Sequence, residues 1–472
     1  MIVGIALAGG CARFQSKPLA PVQTAADFDA RSLNDAGLHQ FIATNLHHEV
    51  TTWDFPALTL AALYFHPDLD VTRAQWSVAK AGQVKAGERP NPTVGVAPGF
   101  DTTTSMPSPW IASVNLDIPI ETAGKRSYRL AQAKHLSEAA RLNIAAAAWQ
   151  IRSRVRSRWL DLFAATRSEE LLRKQQTAQE QVVKLLQAQL DAGAISPFEV
   201  TQARIAWRNA SLSVNEAQRQ LAEARVALAD ALGVPARALD RVAVSFAGLE
   251  KIPAMPAAEA RRVALTSRAD ILGSLAEYAA SQSALQLEIA KQYPDVHLNP
   301  GYQFDQGDDK WTVGLSVELP LLNQNQGGVA EARAKREEAA AKFMALQARV
   351  IGEIDRTLAG YEAARRKAAT AAALLADQQK QRETARRMFE AGETSRLALA
   401  TAEAEMLTTE LSRLDALVKV QQAFGALEDA LQNAPPSAAL TEESSRTPAA
   451  TPVAGLPQLI QTIPLLHVKG GF

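Results

Sequence analysis

The residues of this chain that could do chemistry are few and do not gather. The only cysteine, Cys11, closes the apolar run from Met1 to Gly10, which ends on small residues and reads as an export signal. A lone thiol excludes an intrachain disulfide framework and any multi-cysteine metal site. The seven histidines are scattered, and His47-His48 is the only adjacent pair. Sequence neighbours do not share a helix face, so no metal site is read. Gly124-Lys125-Arg126-Ser127 has the flavour of a phosphate loop, but Pro119 stands where the first glycine belongs and Ser127 comes one place late. The chain contains no HExxH, no GxSxG and no glycine-rich dinucleotide loop. The reading is therefore no enzyme and no cofactor. Fifty basic and fifty acidic residues cancel, which leaves no global field to recruit nucleic acid.

The elements are more informative. Val313, Leu315, Val317 and Leu319 alternate with Thr312, Gly314, Ser316 and Glu318, the period of a strand with one apolar face. An earlier copy reads Val114, Leu116 and Ile118 against Ser113, Asn115 and Asp117. Trp110 and Trp311 each precede a proline, Pro119 and Pro320, by nine positions, which places both at equivalent strand starts. Further landmarks keep step. His66-Pro67-Asp68-Leu69 matches Arg268-Ala269-Asp270-Ile271, Asp191-Ala192-Gly193 matches Glu390-Ala391-Gly392, and Ala227 to Leu232 matches Ala426 to Leu431, at offsets of 199 to 202. That is an internal tandem repeat.

The resulting organisation is a signal over 1–10, a tether over 11–30, a first repeat over 31–232, a linker over 233–256, a second repeat over 257–432 and a tail over 433–472. In the first repeat a helical pattern from about Ser32 to Gly87 breaks near Asp54-Phe55-Pro56 and at His66-Pro67. A short strand follows to about Phe100, then a polar loop to Pro109 and the second strand to Pro119. From about Thr122 to Leu190 the stripe Ile144, Ala148, Ile151, Val155, Trp159, Leu162 marks one helix, on the order of 100 Å long at ~1.5 Å per residue. Gly193 stops it and Ser196-Pro197 starts the return helix, which ends at Gly233. The second repeat expects a helix to about Lys291, a strand from Asp295 to Phe304, a loop from Asp305 to Lys310, a strand to Pro320, then helices from about Gly328 to Ala391 and on to about Gln432. Gly392 and Ser395 form the turn between these last two helices, with the stripe Leu346, Val350, Ile354, Leu358, Tyr361 on the first. No run approaches the ~18 apolar residues of a spanning helix, so strands must do any membrane crossing. The tail is rich in Pro, Ser, Thr and Ala and ends in an apolar patch at Leu465-Leu466.

Two strands, a long helix, a turn and a returning helix, given twice, resemble the TolC-like outer-membrane factors of bacterial efflux and secretion. The stretch Glu121-Thr122-Ala123-Gly124-Lys125-Arg126 looks like the heavy-metal efflux branch of that family. Small residues ahead of Cys11 resemble bacterial lipoprotein signals, whose cysteine becomes acylated, although no Lys or Arg precedes the run here. The resemblance implies an α+β membrane protein: a homotrimer whose outer-membrane β-barrel takes four strands per chain and continues as a long α-helical coiled-coil tunnel through the periplasm. Four strands are too few to close a wide barrel and lone sheet edges do not lie in lipid, which agrees.

The implied function is the outer-membrane channel of a tripartite efflux system, a passive conduit for an inner-membrane pump and a periplasmic adaptor, with metal ions ahead of drugs as cargo. A type I protein secretion channel and a structural coiled-coil envelope tether are the alternatives. The implied sites are acylation at Cys11, with outer-membrane lipid as partner, and adaptor docking at the tips formed by Gly193, Ser196, Gly392 and Ser395. A gate near Glu199, Glu393, Arg396 and Glu403 is also implied, although Ala398 stands at the place equivalent to Glu199 and most such charges are solvated helix residues. Trp110 and Trp311, with Tyr302 and Phe304, are candidates for membrane-interface aromatics, against ordinary packing within a sheet.

Overall fold

The computed structural model describes residues 13–102, 108–240, 242–254 and 259–432. Cys11 with its apolar leader and the segment 433–472 lie outside the described residues. The order is α1 (Pro21–Asp29), α2 (Ala36–Leu46), α3 (Phe55–Phe65), α4 (Pro67–Gly87), β1 (Thr93–Phe100), β2 (Trp110–Ile120), α5 (Lys125–Asp191) and α6 (Pro197–Leu232). It continues with α7 (Glu259–Ser267), α8 (Ala269–Ala290), β3 (Val296–Asp305), β4 (Asp308–Val317), α9 (Gln326–Glu390) and α10 (Arg396–Leu431).

The helices α5 and α9 run 67 and 65 residues. Neither Gly nor Pro interrupts α5, and i,i+3 or i,i+4 ion pairs such as Arg141–Glu138, Arg167–Glu170 and Lys184–Glu180 line its wet side. Its other side carries Ile144, Ala148, Ile151, Val155, Trp159 and Leu162, all buried. α5 packs along α4, α6, α8 and α10, and α9 along α8 and α10. The main core lies where α2 and α3 lean on α5 and α6. A second forms around Ile271, Val350, Ile354, Tyr361 and Phe424. The four strands make one antiparallel sheet in the order β1-β2-β3-β4, in which β2 pairs with β3 over 170 positions away.

Start and stop chemistry explains the boundaries. Asp54 accepts from Ala57 N–H to cap α3, and His66 Nδ1 accepts from Asp68 N–H to cap α4. Gly233 ends α6 at φ 73°, with a would-be Cβ only 3.1 Å from Phe65 O, so the residue is held by both conformation and space.

Several expectations need correcting. The segment read as a tether contains α1, which Pro21 opens at its first position, though none of its residues is buried. The pattern from Ser32 to Gly87 has an extra interruption: α2 stops at His47, which adopts φ 59°. The helix expected to run to Lys291 divides at Arg268 into α7 and α8. The loop expected over Asp305–Lys310 is only Gln306-Gly307, at φ 54° and 119°. A two-residue turn with both φ positive matches the strand twist, so Asp308, Asp309 and Lys310 pair back onto β3 despite their charge. Trp311 is thus the fourth residue of β4 and not its start, unlike Trp110 in β2, and β4 ends at Val317 rather than Pro320.

Candidate functional site

Strand register sorts the sheet into two faces. Val94 lies opposite Leu116, Val96 opposite Val114, Ile118 opposite Leu298 and Leu298 opposite Leu315. Every such partner is apolar. The other face carries Asn115, Asp117, His297, Asn299, Gln303, Thr312 and Ser316 among glycines and alanines. The apolar face is the bare one: Trp311 is 81% exposed and Val313 78%. A soluble sheet turns its apolar face inward, and this one does the reverse. Among the described residues the edges β1 and β4 are both open.

Aromatic rings concentrate at the hairpin end of that face. Phe100 meets Trp110 edge-on at 5.1 Å, and Tyr302 packs on Trp311 at 4.9 Å between ring centres. Their phenol and indole tips suit a headgroup boundary. Tyr302 Oη donates to Asp309, the carboxylate at the rim of the apolar face.

On the polar face, His297 Nδ1 lies 2.9 Å from Asp117 Oδ1, and Asn299 Nδ2 donates to Ser316 Oγ at 2.9 Å. Sequence reasoning named none of these four as a pair. Their alternation was legible, but the cross-strand partner follows only from register. Among the described residues no group of three or more His, Cys, Asp or Glu side chains could hold a metal ion.

The stretch Glu121 to Arg126 joins β2 to α5. Ala123 and Gly124 take φ 53° and 72° to turn the chain. Lys125 is buried and reaches Asp295 Oδ1 at 2.8 Å, while Thr122 N–H donates to the same oxygen. Arg126 bonds Gly87 O at 2.7 Å, and Arg129 clamps Glu121 at 2.7 Å while bonding Ala86 O and Glu88 O. The lysine of the apparent phosphate loop is thus spent on a strand-to-helix brace.

At the far end, two turns share one geometry. Gly193 and Gly392 sit at φ 73° and 77°. Ala194 N–H donates to Gln189 O and Glu393 N–H to Met388 O, each at 2.8 Å, the six-to-one bond of a glycine-stopped helix. Ser395 caps α10 by accepting from Ala398 N–H, whereas Ser196 makes no side-chain cap and α6 starts on Pro197. Hydrogen bonds set the heights: Gln175 to Thr408 levels α5 with α10, and Gln176 to Ser211 levels α5 with α6. Both turns therefore lie at one end. Glu199 and Glu403 are exposed on the first turns of α6 and on α10, and Glu393 and Arg396 are exposed at the second turn. Within one chain they make no shared cluster.

Comparisons with known proteins agree with this geometry. The family model described as outer membrane efflux protein matches residues 59–234 and 260–433. The cobalt-zinc-cadmium resistance protein CzcC of Cupriavidus metallidurans is 28% identical over 236 residues, which is 50% of this chain and 56% of that protein. The match thus spans little more than half of that relative. Among solved structures, CusC superposes with TM-score 0.66 at 18% identity, over 80% of this chain and 91% of that one. The outer-membrane channel OprN gives 0.65 at 18% identity, over 90% and 98%. VceC from Vibrio cholerae gives 0.65 at 20% identity, over 80% and 95%. The chain, with its strand, long helix, turn and returning helix given twice, belongs to the outer membrane efflux proteins.

Proposed function

We propose that three copies of this chain close a twelve-strand barrel in the outer membrane, continued by a helical tunnel through which an inner-membrane pump expels its substrate. The observation that carries this reading is the inverted sheet: an apolar face left bare, a polar face behind it and two unpaired edges. Open edges are costly in water and in lipid, whereas a bare apolar face is costly only in water; closure with further copies removes the first cost and insertion into the bilayer the second. The paired turns at Gly193, Ser196, Gly392 and Ser395 are the adaptor's docking point, and Glu199, Glu393, Arg396 and Glu403 line the entrance once three copies converge.

Chain length supports an acyl anchor at Cys11. Arg31 bonds Phe65 O and Gly233 O, both at 2.8 Å, and so fixes the chain at the foot of α4. α4 climbs roughly 30 Å from there to the sheet. With α1 kept helical, a chain of that length from Cys11 to Arg31 can reach at most about 50 Å. The tether spans the climb with slack to enter the lipid.

The cargo we assign is metal ions, because CzcC is named for cobalt, zinc and cadmium resistance. The test pairs two measurements. Purified protein in a planar bilayer should conduct in discrete steps; silence would remove the channel and favour an envelope tether. Deleting the gene should sensitise cells to cobalt, zinc or cadmium. Sensitivity to drugs alone, with conductance intact, would replace the cargo and leave the channel standing.

A further inference from the structure

At its helix end, the polar face of the sheet presents a histidine with one free nitrogen. His297 is the second residue of β3, and its Nδ1 lies 2.9 and 3.1 Å from the two carboxylate oxygens of Asp117 on β2. A carboxylate only accepts, so Nδ1 carries the hydrogen and the lone pair of the uncharged ring stands on Nε2. Among the described residues Nε2 has no hydrogen-bond partner, and the side chain is 39% exposed. An imidazole steered by a carboxylate on its other nitrogen is the usual arrangement of a metal-binding histidine.

His297 lines a cavity of about 280 Å³ together with Glu318, Asn323, Asn325, Lys125 and Asp295. Charge in and around this cavity does not cancel. Lys125 is held by Asp295 at 2.8 Å, and Lys291, also on the wall, by Glu288 at 2.6 Å. Glu318 is exposed and has no ion-pair or hydrogen-bond partner among the described residues. With the imidazole uncharged, Asp117 and Glu318 leave an excess of negative charge that a divalent cation offsets.

Donor type selects the cation. Imidazole suits zinc and cobalt, whereas magnesium and calcium prefer a shell of oxygens. One imidazole and one carboxylate fall short of the donor set of a structural zinc site, and water completes the shell. Weak binding is what a conduit requires, since an ion must enter and also leave.

We propose that His297 Nε2 and the Glu318 carboxylate form a transit site for a borderline divalent cation such as zinc or cobalt, on the lumen wall where barrel meets tunnel. Asp117 is its positioning residue. The site rests on the outer-membrane channel and the metal cargo put forward above, and it names where the wall touches that cargo. Both donors belong to one chain, so every copy carries a complete site.

The experiment uses the full chain in detergent and diethyl pyrocarbonate, which acylates accessible imidazole nitrogens, with each histidine read by mass spectrometry. Zinc should protect His297 in a saturable way, and magnesium at the same concentration should not. His135, partly exposed on α5, is the internal control. Glu318→Gln should raise the zinc midpoint several-fold. Asp117→Ala should raise it about tenfold or more, and Asp117→Asn, whose amide oxygen still accepts from Nδ1–H, should recover part of that loss. Labelling of His297 that ignores zinc, or that falls equally with magnesium or in step with His135, would overturn the site. In a planar bilayer, zinc on the outer side should reduce the potassium current, and His297→Ala should abolish that block. Protection without block would take the site out of the lumen and overturn the transit role. A silent bilayer would remove the channel and the transit role with it, whereas conductance with His297 unprotected would overturn the site and leave the channel intact.

Discussion

At the residue scale, the interior of the helical layer holds charge under control. Arg152 and Arg156 of α5 enter it beside Glu428 and Asp429 of α10. Both guanidinium groups lie over the Phe55 ring, at 5.1 and 5.3 Å. Burial and the neighbouring Arg152 push Arg156 down to about 10, and burial pushes the Asp429 carboxyl up. Gly425 leaves that side chain its room, since a Cβ there would stand 2.9 Å from Arg156 Cδ. His66 is the second controlled charge. It is buried, with Asp68 of α4, Arg154 of α5, Asp230 of α6 and Arg31 around it. Nδ1 accepts from Asp68 N–H, and Nε2 faces Arg154 at 2.9 Å. Burial, aided by Arg154 and Arg31 against the two carboxylates, lowers its pKa below the ordinary 6.5. The unfolded chain then binds the proton more readily than the folded one. Its contribution to stability is therefore complete above about 6.5 and is lost as pH falls through the lower folded value. His66→Asn, which keeps a helix-capping acceptor, should flatten the decline of melting temperature between about pH 7 and 5. An unchanged decline would assign the acid sensitivity to other groups.

At the element scale, the hairpins depend on two backbone positions. Nothing lies within 4 Å of a Cβ added at Gly193 or Gly392, so space does not select glycine there; the positive φ does. Proline fixes φ near −65° and removes the N–H that Gly193 gives to Leu190 O and Gly392 to Phe389 O. Gly193→Pro or Gly392→Pro should therefore reshape the tips while leaving the sheet, some 100 Å away along the helix, unaltered. The expected outcome is lost export with normal outer-membrane insertion. Loss of insertion as well would make the turns folding elements and nothing more.

At the scale of the whole molecule, the single chain is extended. It exposes 30000 Å², against roughly 17000 Å² for a compact chain of its size. The bare sheet and the outer sides of the long helices contribute to the excess, surfaces that the proposed assembly and its membrane would cover. The two sheet faces should then respond oppositely to charge. Leu315→Arg, on the bare apolar face, should cost about 2–4 kcal/mol per chain in lipid near the bilayer midplane and reduce assembled barrel. Ser316→Arg, one residue on and facing the polar side, should leave assembly in place. Heat-modifiable migration of extracted membranes would separate them, and equal tolerance of both would argue against a lipid-facing sheet.

The periods of two and of three to four were legible in the sequence because they record which side of an element meets apolar surroundings. They gave the strands near Thr93 and Trp110 and the stripe from Ile144 to Leu162, and the glycine stops at 193, 233 and 392 were readable from their turn chemistry. Proline and caps located the breaks at Asp54 and His66, but not the stop at His47 or the division at Arg268, where no proline or glycine marks the sequence. Polar residues misled at Asp308 to Lys310, since a two-residue turn outweighs local charge in setting register. Pairing lay wholly with the tertiary structure. That β2 meets β3, that Lys125 braces Asp295, that His297 meets Asp117 and that Arg152 and Arg156 meet Glu428 are contacts between residues far apart in the chain. Periodicity fixes which way a side chain points, and only packing in three dimensions fixes what it points at.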